Sequence, residues 1–268
     1  MDLLSQELKM KAVIFAGGLG SRLSEETSIK PKPMIEIGNQ PLLWHIMKIY
    51  SFYGINDFII CCGYKSEKIK EYFLNYLYTH SDFTISYDNS YNNIKIHKRE
   101  VENWNVTLVD TGINTMTAGR LKSVQPYIDS EDFCLTYGDG LADININKLI
   151  KFHKASKKIA TITAIKPKGR FGAMIIKDDN VISFKEKISN KTDYINGGFF
   201  VLNKKIFSML KKVTLSEPLE GTPIQELVEL NEMAAYKHNG FWQSMDTLKE
   251  KNLLNELWIK KKAPWKIW

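Results

Sequence analysis

The sequence holds only three cysteines, Cys61, Cys62 and Cys134, and no two of them stand at C-x-x-C spacing. That scarcity argues against both a disulfide framework and a structural zinc site. Sixteen glycines and eight prolines in 268 residues fall far below the ~25–30% of low-complexity or disordered chains. Nowhere does an apolar run approach the ~18–20 residues of a membrane-spanning helix. The first nine residues are polar and carry Asp2 and Glu7, unlike a secretory leader. The expectation is a cytoplasmic protein in which residues 1–9 are an extension and the fold begins near Met10.

What is present is a globular balance, with 44% hydrophobic and 25% charged residues. A chain of this length can bury a core without staples. Basic residues number 37 against 30 acidic ones, a net charge of +7 that favours an anionic partner. The cations are mostly dispersed, apart from Lys30/Lys32, Lys185/Lys187 and the tail lysines 260–262 and 266. No nucleic-acid recognition motif accompanies them, and the tail is too short for an amphipathic membrane anchor. A phosphorylated small molecule is therefore favoured over nucleic acid or membrane. Trp265 and Trp268 are expected to pack on the body or on a neighbouring subunit.

Hydrophobic periodicity predicts buried strands at 11–16, 58–62, 106–109, 133–136, 160–165, 198–202 and 234–238. Helical spacing marks 41–53, 66–77, 117–124, 146–156, 204–211, 223–230 and 246–258, with Pro41 as a first-turn proline. Hairpins are expected at 84–87 with 95–98 and at 173–177 with 181–185. Alternation of strand and helix implies a mostly parallel sheet covered on both faces, to which the later hairpin makes an antiparallel addition. No linker composition or internal repeat divides residues 10–268, so a single domain is expected.

The first strand runs into Phe15-Ala16-Gly17-Gly18-Leu19-Gly20-Ser21-Arg22. Glycines there let backbone N–H groups approach an anion closely. The dinucleotide fingerprint fails for lack of its third glycine, and the P-loop fails for lack of Gly-Lys-Ser/Thr. A nicotinamide dehydrogenase is thereby disfavoured. Arg22 lies inside the loop, and Lys30-Pro31-Lys32-Pro33-Met34 follows shortly after. Cations in a glycine loop and on a proline-stiffened strap can hold triphosphate oxygens from two sides. The prolines are expected to keep the strap extended, with Lys30 and Lys32 pointing opposite ways, so that one of the two faces the phosphates.

Residues 16–23 followed by 30–34 resemble the signature of sugar-phosphate nucleotidylyltransferases. The segments 58–64, 104–112, 137–140, 195–200 and 240–248, with the tail 262–268, narrow the resemblance to members that use CTP and glucose 1-phosphate. It spans residues 10–268 and implies a Rossmann-like three-layer α/β nucleotide-diphospho-sugar transferase fold, with a mixed, mostly parallel sheet. Residues of about 10–145 would form the nucleotide-binding part, and those of about 146–268 the sugar-phosphate-binding and C-terminal part. The implied reaction joins the two substrates to give CDP-glucose and pyrophosphate, for deoxyhexose and O-antigen polysaccharide synthesis. Alternatives are the same transfer from UTP or dTTP, another hexose 1-phosphate, or a catalytically silent nucleotide-sugar sensor.

Two anions must meet in that reaction, and Mg²⁺ held by one or two carboxylates is the usual solution. The resemblance assigns the metal to Asp139 and Asp246. Read locally, Asp139 also suits a turn between Gly138 and Gly140, and Asp246 the N-cap of the final helix. The resemblance gives Arg22, Lys32 and Lys187 catalytic roles. It places residues 15–22, Lys32, Thr111, Thr117, Arg120 and Gly138 on the nucleotide, although Thr117 is equally an N-cap candidate. Arg170, Glu186, Lys187, Asn196 and Gly197 are the sugar-phosphate candidates, and Arg170 could instead pair with a neighbouring acid. Where relatives commonly have a proline, a glycine and an acidic residue before a proline, this chain has Ile188, Ala118 and Thr222. Glu220 is a candidate substitute for that acid. Family habit implies a homo-oligomer, a hexamer being the form expected.

Overall fold

Strict alternation of side chains on the Ala12–Phe15 strand splits the protein into two cores. Ala12 and Ile14 join one buried cluster, and Val13 and Phe15 join the other. The same division holds on Asp57–Cys62, where Phe58, Ile60 and Cys62 face one layer and Ile59 and Cys61 the other. The computed structural model describes residues 10–87, 93–166, 173–177, 179–185 and 194–268.

A nine-stranded sheet carries this alternation. Starting from one edge, it runs Ala173–Lys177, Asn180–Lys185, Met233–His238, Ala160–Ile165, Ile195–Asn203, Asp132–Tyr137, Ala12–Phe15, Asp57–Cys62 and Asn105–Asp110. Ala12–Phe15 is parallel to both its neighbours, whereas Ile195–Asn203 runs antiparallel to both of its own. The 173–185 hairpin extends the far edge antiparallel to Met233–His238. One face is covered by helices Leu42–Phe52, Ile146–Ser156 and Leu248–Ile259, the other by Thr117–Ser123, Ile206–Leu210 and Thr222–Glu229. This is the expected three-layer α/β arrangement with its antiparallel addition.

Helix Leu42–Phe52 begins directly after Pro41 and buries Leu42, Leu43, Ile46, Met47, Ile49 and Tyr50, a 3.6-residue stripe. Trp265 is fully buried beneath it, stacked on Phe241 and Trp258, while Trp268 meets Trp44 edge to face. The tail therefore packs on its own body. His45 sits inside that aromatic cluster with Nε2 2.8 Å from the Ile37 carbonyl, and burial lowers its pKa to about 4.

The segment after the glycine loop differs from expectation. Lys32–Met34 is a 3₁₀ turn instead of an extended strap, because the fixed φ of Pro33 suits a first helical turn as well as an extended chain. Short pairings at Glu36–Ile37 with Gln40–Pro41 and at Gly140–Ala142 with Trp242–Ser244 add two small sheets. The first hairpin is longer than predicted and forms a sheet of its own, Ser81–Ser86 with Asn93–Arg99. Among the described residues no helix is long and apolar enough to cross a membrane.

Candidate active site

The strands Ala12–Phe15 and Asp132–Tyr137 are adjacent and parallel, so their C-terminal ends open side by side. From the first emerges the glycine loop, and from the second Gly138 and Asp139. The crevice outside strand C-termini is where open α/β sheets hold ligands. Here a cavity of about 320 Å³ is lined by Phe15, Gly17, Gly18, Arg22, Lys32 and Asp139, among others.

Backbone hydrogen bonds fix the loop at its base. Ala16 N–H donates to Cys61 O, Tyr64 N–H to Gly17 O, and Gly138 N–H to Phe15 O, at 2.9–3.1 Å. Gly20 has φ +64°, a conformation that favours glycine. Gly17 is required for another reason, since a Cβ there would lie 2.1 Å from Nη1 of Arg120.

The charged wall of the cleft is gathered from three distant parts of the chain. Lys32 Nζ donates to Asp139 Oδ2 at 2.9 Å and to Asp246 Oδ1 at 2.5 Å. Arg22 Nη1 donates to the other Asp246 oxygen, Oδ2, at 3.0 Å. Lys32 and Asp246 are buried, whereas the Arg22 side chain is 73% exposed. Burial opposes the Lys32 charge, but the two carboxylates outweigh it and hold its pKa above the usual lysine value. Lys30 points away and binds Glu36 at 2.7 Å, so Lys32 is the lysine that enters the cleft.

Asp246 is not the N-cap of the final helix. Thr247 takes that place, accepting from Glu250 N–H in a capping box, while Glu250 accepts from the Asp246 and Thr247 N–H groups. The Asp246 carboxylate is thus left to the cleft. Asp139 and Asp246 supply hard oxygen donors converging on a single cation, the Lys32 ammonium. That donor set fits a divalent cation completed by phosphate oxygens. Among the described residues no group of three or more His, Cys, Asp or Glu could hold a metal.

Arg120 lines the same cavity. The residue is 3% exposed, and its guanidinium donates to Cys62 O, Thr111 Oγ1 and Gly17 O at 3.1, 2.6 and 2.9 Å. Burial lowers its pKa, with Cys61, Cys62 and Asp110 acting in the other direction. Thr111 is turned from the cavity, its hydroxyl donating to Cys62 O at 2.7 Å. Thr117 is the first residue of its helix, with Met116 at the N-cap. Its hydroxyl donates to Glu220 Oε2 at 3.1 Å and accepts from Leu219 N–H at 2.7 Å.

Gly18, Gly20, Ser21, Gly138 and Ala16 all line the cavity, whereas Leu19 is exposed at the loop tip. Asn196 and Gly197 adjoin the cleft one strand away. Asn196 Nδ2 is 3.5 Å from the Tyr137 hydroxyl, and Trp242 Nε1 donates to Gly197 O at 2.7 Å. Arg170, Glu186 and Lys187 lie outside the described residues. The residue-by-residue reading missed Tyr137, Thr115, Met116 and Pro33, all cavity-lining. Tyr137 had a usable signal, as the last residue of a buried strand just before Gly138-Asp139. Its hydroxyl donates to Glu220, and burial with that carboxylate raises its pKa well above the ordinary value.

The family model for nucleotidyl transferases matches residues 11–250. The chain is 55% identical to glucose-1-phosphate cytidylyltransferase of Salmonella typhimurium, across 97% of this chain and 100% of that one. It is 44% identical to the probable glucose-1-phosphate cytidylyltransferase of Bacillus subtilis, with the same coverage. The crystal structure of HddC from Yersinia pseudotuberculosis superposes with a TM-score of 0.74 at 22% identity, covering 93% of this chain and 99% of that one. A glycine loop, two cations and two carboxylates gathered at adjacent strand ends thus accompany a match along nearly the whole sequence, and the chain belongs to the nucleotidyl transferase family.

Proposed function

We propose that the protein transfers the cytidylyl group of CTP to α-D-glucose 1-phosphate, giving CDP-glucose and pyrophosphate. The observation that carries this reading is the convergence of Arg22, Lys32, Asp139 and Asp246 beside the glycine loop. Identity of 55% to a glucose-1-phosphate cytidylyltransferase supports the choice of substrates.

A phosphate oxygen of glucose 1-phosphate attacks the α-phosphorus of CTP. As that P–O bond forms, the bond to the bridging oxygen breaks, and the electron pair leaves with pyrophosphate. The attacking oxygen is already ionised at neutral pH, so the reaction needs no nucleophilic side chain. Catalysis is therefore alignment and charge neutralisation. Backbone N–H groups of residues 17–21 cradle the triphosphate, and Arg22 and Lys32 bind its oxygens. Asp139 and Asp246 would hold Mg²⁺, which when bound neutralises phosphate charge and acts as a Lewis acid. Arg120, with Thr111 behind it, fixes the loop's backbone.

Lys187, Glu186 and Arg170 hold the sugar phosphate in this reading, with Asn196 and Gly197 beside them. The protein works in the cytoplasm as one domain over residues 10–268, supplies deoxyhexose and O-antigen polysaccharide synthesis, and assembles as a homo-oligomer, a hexamer. Support for self-association comes from the family resemblance, because the aromatic tail is occupied by its own chain.

Mass spectrometry of the products formed from CTP, glucose 1-phosphate and Mg²⁺ tests the reading. CDP-glucose is the expected product, and its formation stops when EDTA is added. Absence of CDP-glucose from protein that binds CTP would replace an enzyme with a nucleotide sensor.

A further inference from the structure

The two carboxylates assigned to the metal are already paired with cations of the chain itself. Both oxygens of Asp246 accept from cations, Oδ1 from Lys32 and Oδ2 from Arg22, and Lys32 also holds Asp139. Lys32 and Asp246 are 9% and 8% exposed, so neither charge is left to water. A buried carboxylate without a cation is costly, and so is a buried ammonium without an anion. A divalent ion entering this site alone would strip Lys32 of both partners and leave it buried beside a second positive charge.

A triphosphate changes that balance. It offers Lys32 and Arg22 replacement anions at the moment the carboxylates are released. The backbone of Lys32 is held by the 3₁₀ turn, with Met34 N–H on Pro31 O and Ile35 N–H on Lys32 O. Its side chain starts directly under the phosphate loop, for a Cβ built on Gly20 would lie 3.3 Å from Lys32 Cβ. Rotation of that one side chain therefore suffices to carry the ammonium from the carboxylates toward the loop.

We propose that Lys32 is the resident cation of the metal site, and that nucleotide phosphates open the site by drawing Lys32 off Asp139 and Asp246. Metal and nucleotide then bind as a coupled pair, each raising affinity for the other by the same factor. This rests on the assignment of Asp139 and Asp246 to the metal.

The test is Mn²⁺ binding without nucleotide, followed by the loss of the free-ion signal in electron paramagnetic resonance. Wild type is compared with Lys32→Met and with the more conservative Lys32→Gln, each checked for native circular dichroism. The neutral variants should bind Mn²⁺ alone roughly tenfold or more tightly than wild type, within the range of ordinary coupling, and bind CTP more weakly. Equal or weaker Mn²⁺ binding by both variants would overturn the proposal, as would wild-type binding as tight as theirs. Adding Asp139→Asn to Lys32→Met separates the two readings. If that change abolishes the Mn²⁺ site, the carboxylate assignment holds whether or not Lys32 gates it. Should Mn²⁺ binding survive it, the assignment itself fails.

Discussion

Two buried cations line the cleft and live in opposite electrostatic company. Lys32 sits between two carboxylates, whereas Arg120 is surrounded by carbonyls and a hydroxyl. Among the described residues Arg120 forms no ion pair. The difference separates a charge that can change partners from one that cannot. A triphosphate is a better anion for an ammonium than a shared carboxylate, so Lys32 can move to substrate. Arg120 is spent on neutral acceptors, and its planar fork ties Gly17 to Cys62 and Thr111. One wall performs exchange, and the other holds the loop against which exchange occurs.

The largest expected effect comes from the exchanging wall. Asp139→Asn and Asp246→Asn should each lower kcat at least a hundredfold, the order lost when one electrostatic stabiliser of a transition state is removed. Steady-state kinetics on variants with native circular dichroism would show it. On the other wall, Arg120→Met should destabilise the fold by about 3 kcal/mol, because three buried hydrogen bonds are lost at about 1 kcal/mol each. Urea unfolding reads that loss, and Arg120→Lys should restore little of it. Equal stability in Arg120→Met would erase the distinction between the walls.

A control remote from the cleft is the His45 cluster. Its folded pKa is lowered to about 4 from 6.5, so the unfolded chain takes up the proton first as pH falls. The stability owed to neutral His45 is full above the unfolded pKa and is lost as pH drops from about 6.5 toward 4. Wild type should therefore lose about 2 kcal/mol between pH 8 and pH 5 from this group. Urea titrations of His45→Gln should show a shallower dependence. The smallest effect is expected at Glu220, which accepts from Tyr137 and Thr117. Glu220→Gln keeps the shape and one acceptor, and should cost about 1 kcal/mol.

The sheet was legible because its strands are buried on both faces and read as short apolar runs, as at 12–15 and 57–62. The Gly140–Ala142 pairing with Trp242–Ser244 was not, since three-residue strands from distant segments carry no period. In the site, the loop, Lys32 and the two aspartates followed from motif and resemblance. Thr111 and Arg120 show where such reading stops. Their positions beside the loop were foreseeable, but the direction of a side chain depends on which acceptors the fold brings within reach, and here those are Gly17 O in the loop and Cys62 O on another strand. Asp246 shows the same limit, since its place before the last helix suited an N-cap, whereas the contact with Glu250 gives that place to Thr247.

The central claim is a cytidylyl transfer driven by this cleft, and pyrophosphate release tests it most directly. Glucose 1-phosphate and Mg²⁺ would be supplied with CTP, UTP, dTTP or ATP in parallel reactions. Strong release with CTP and little with the others is the predicted result. Equal release with several nucleotides would contradict the cytidylyl assignment, and no release with any would contradict the transfer itself.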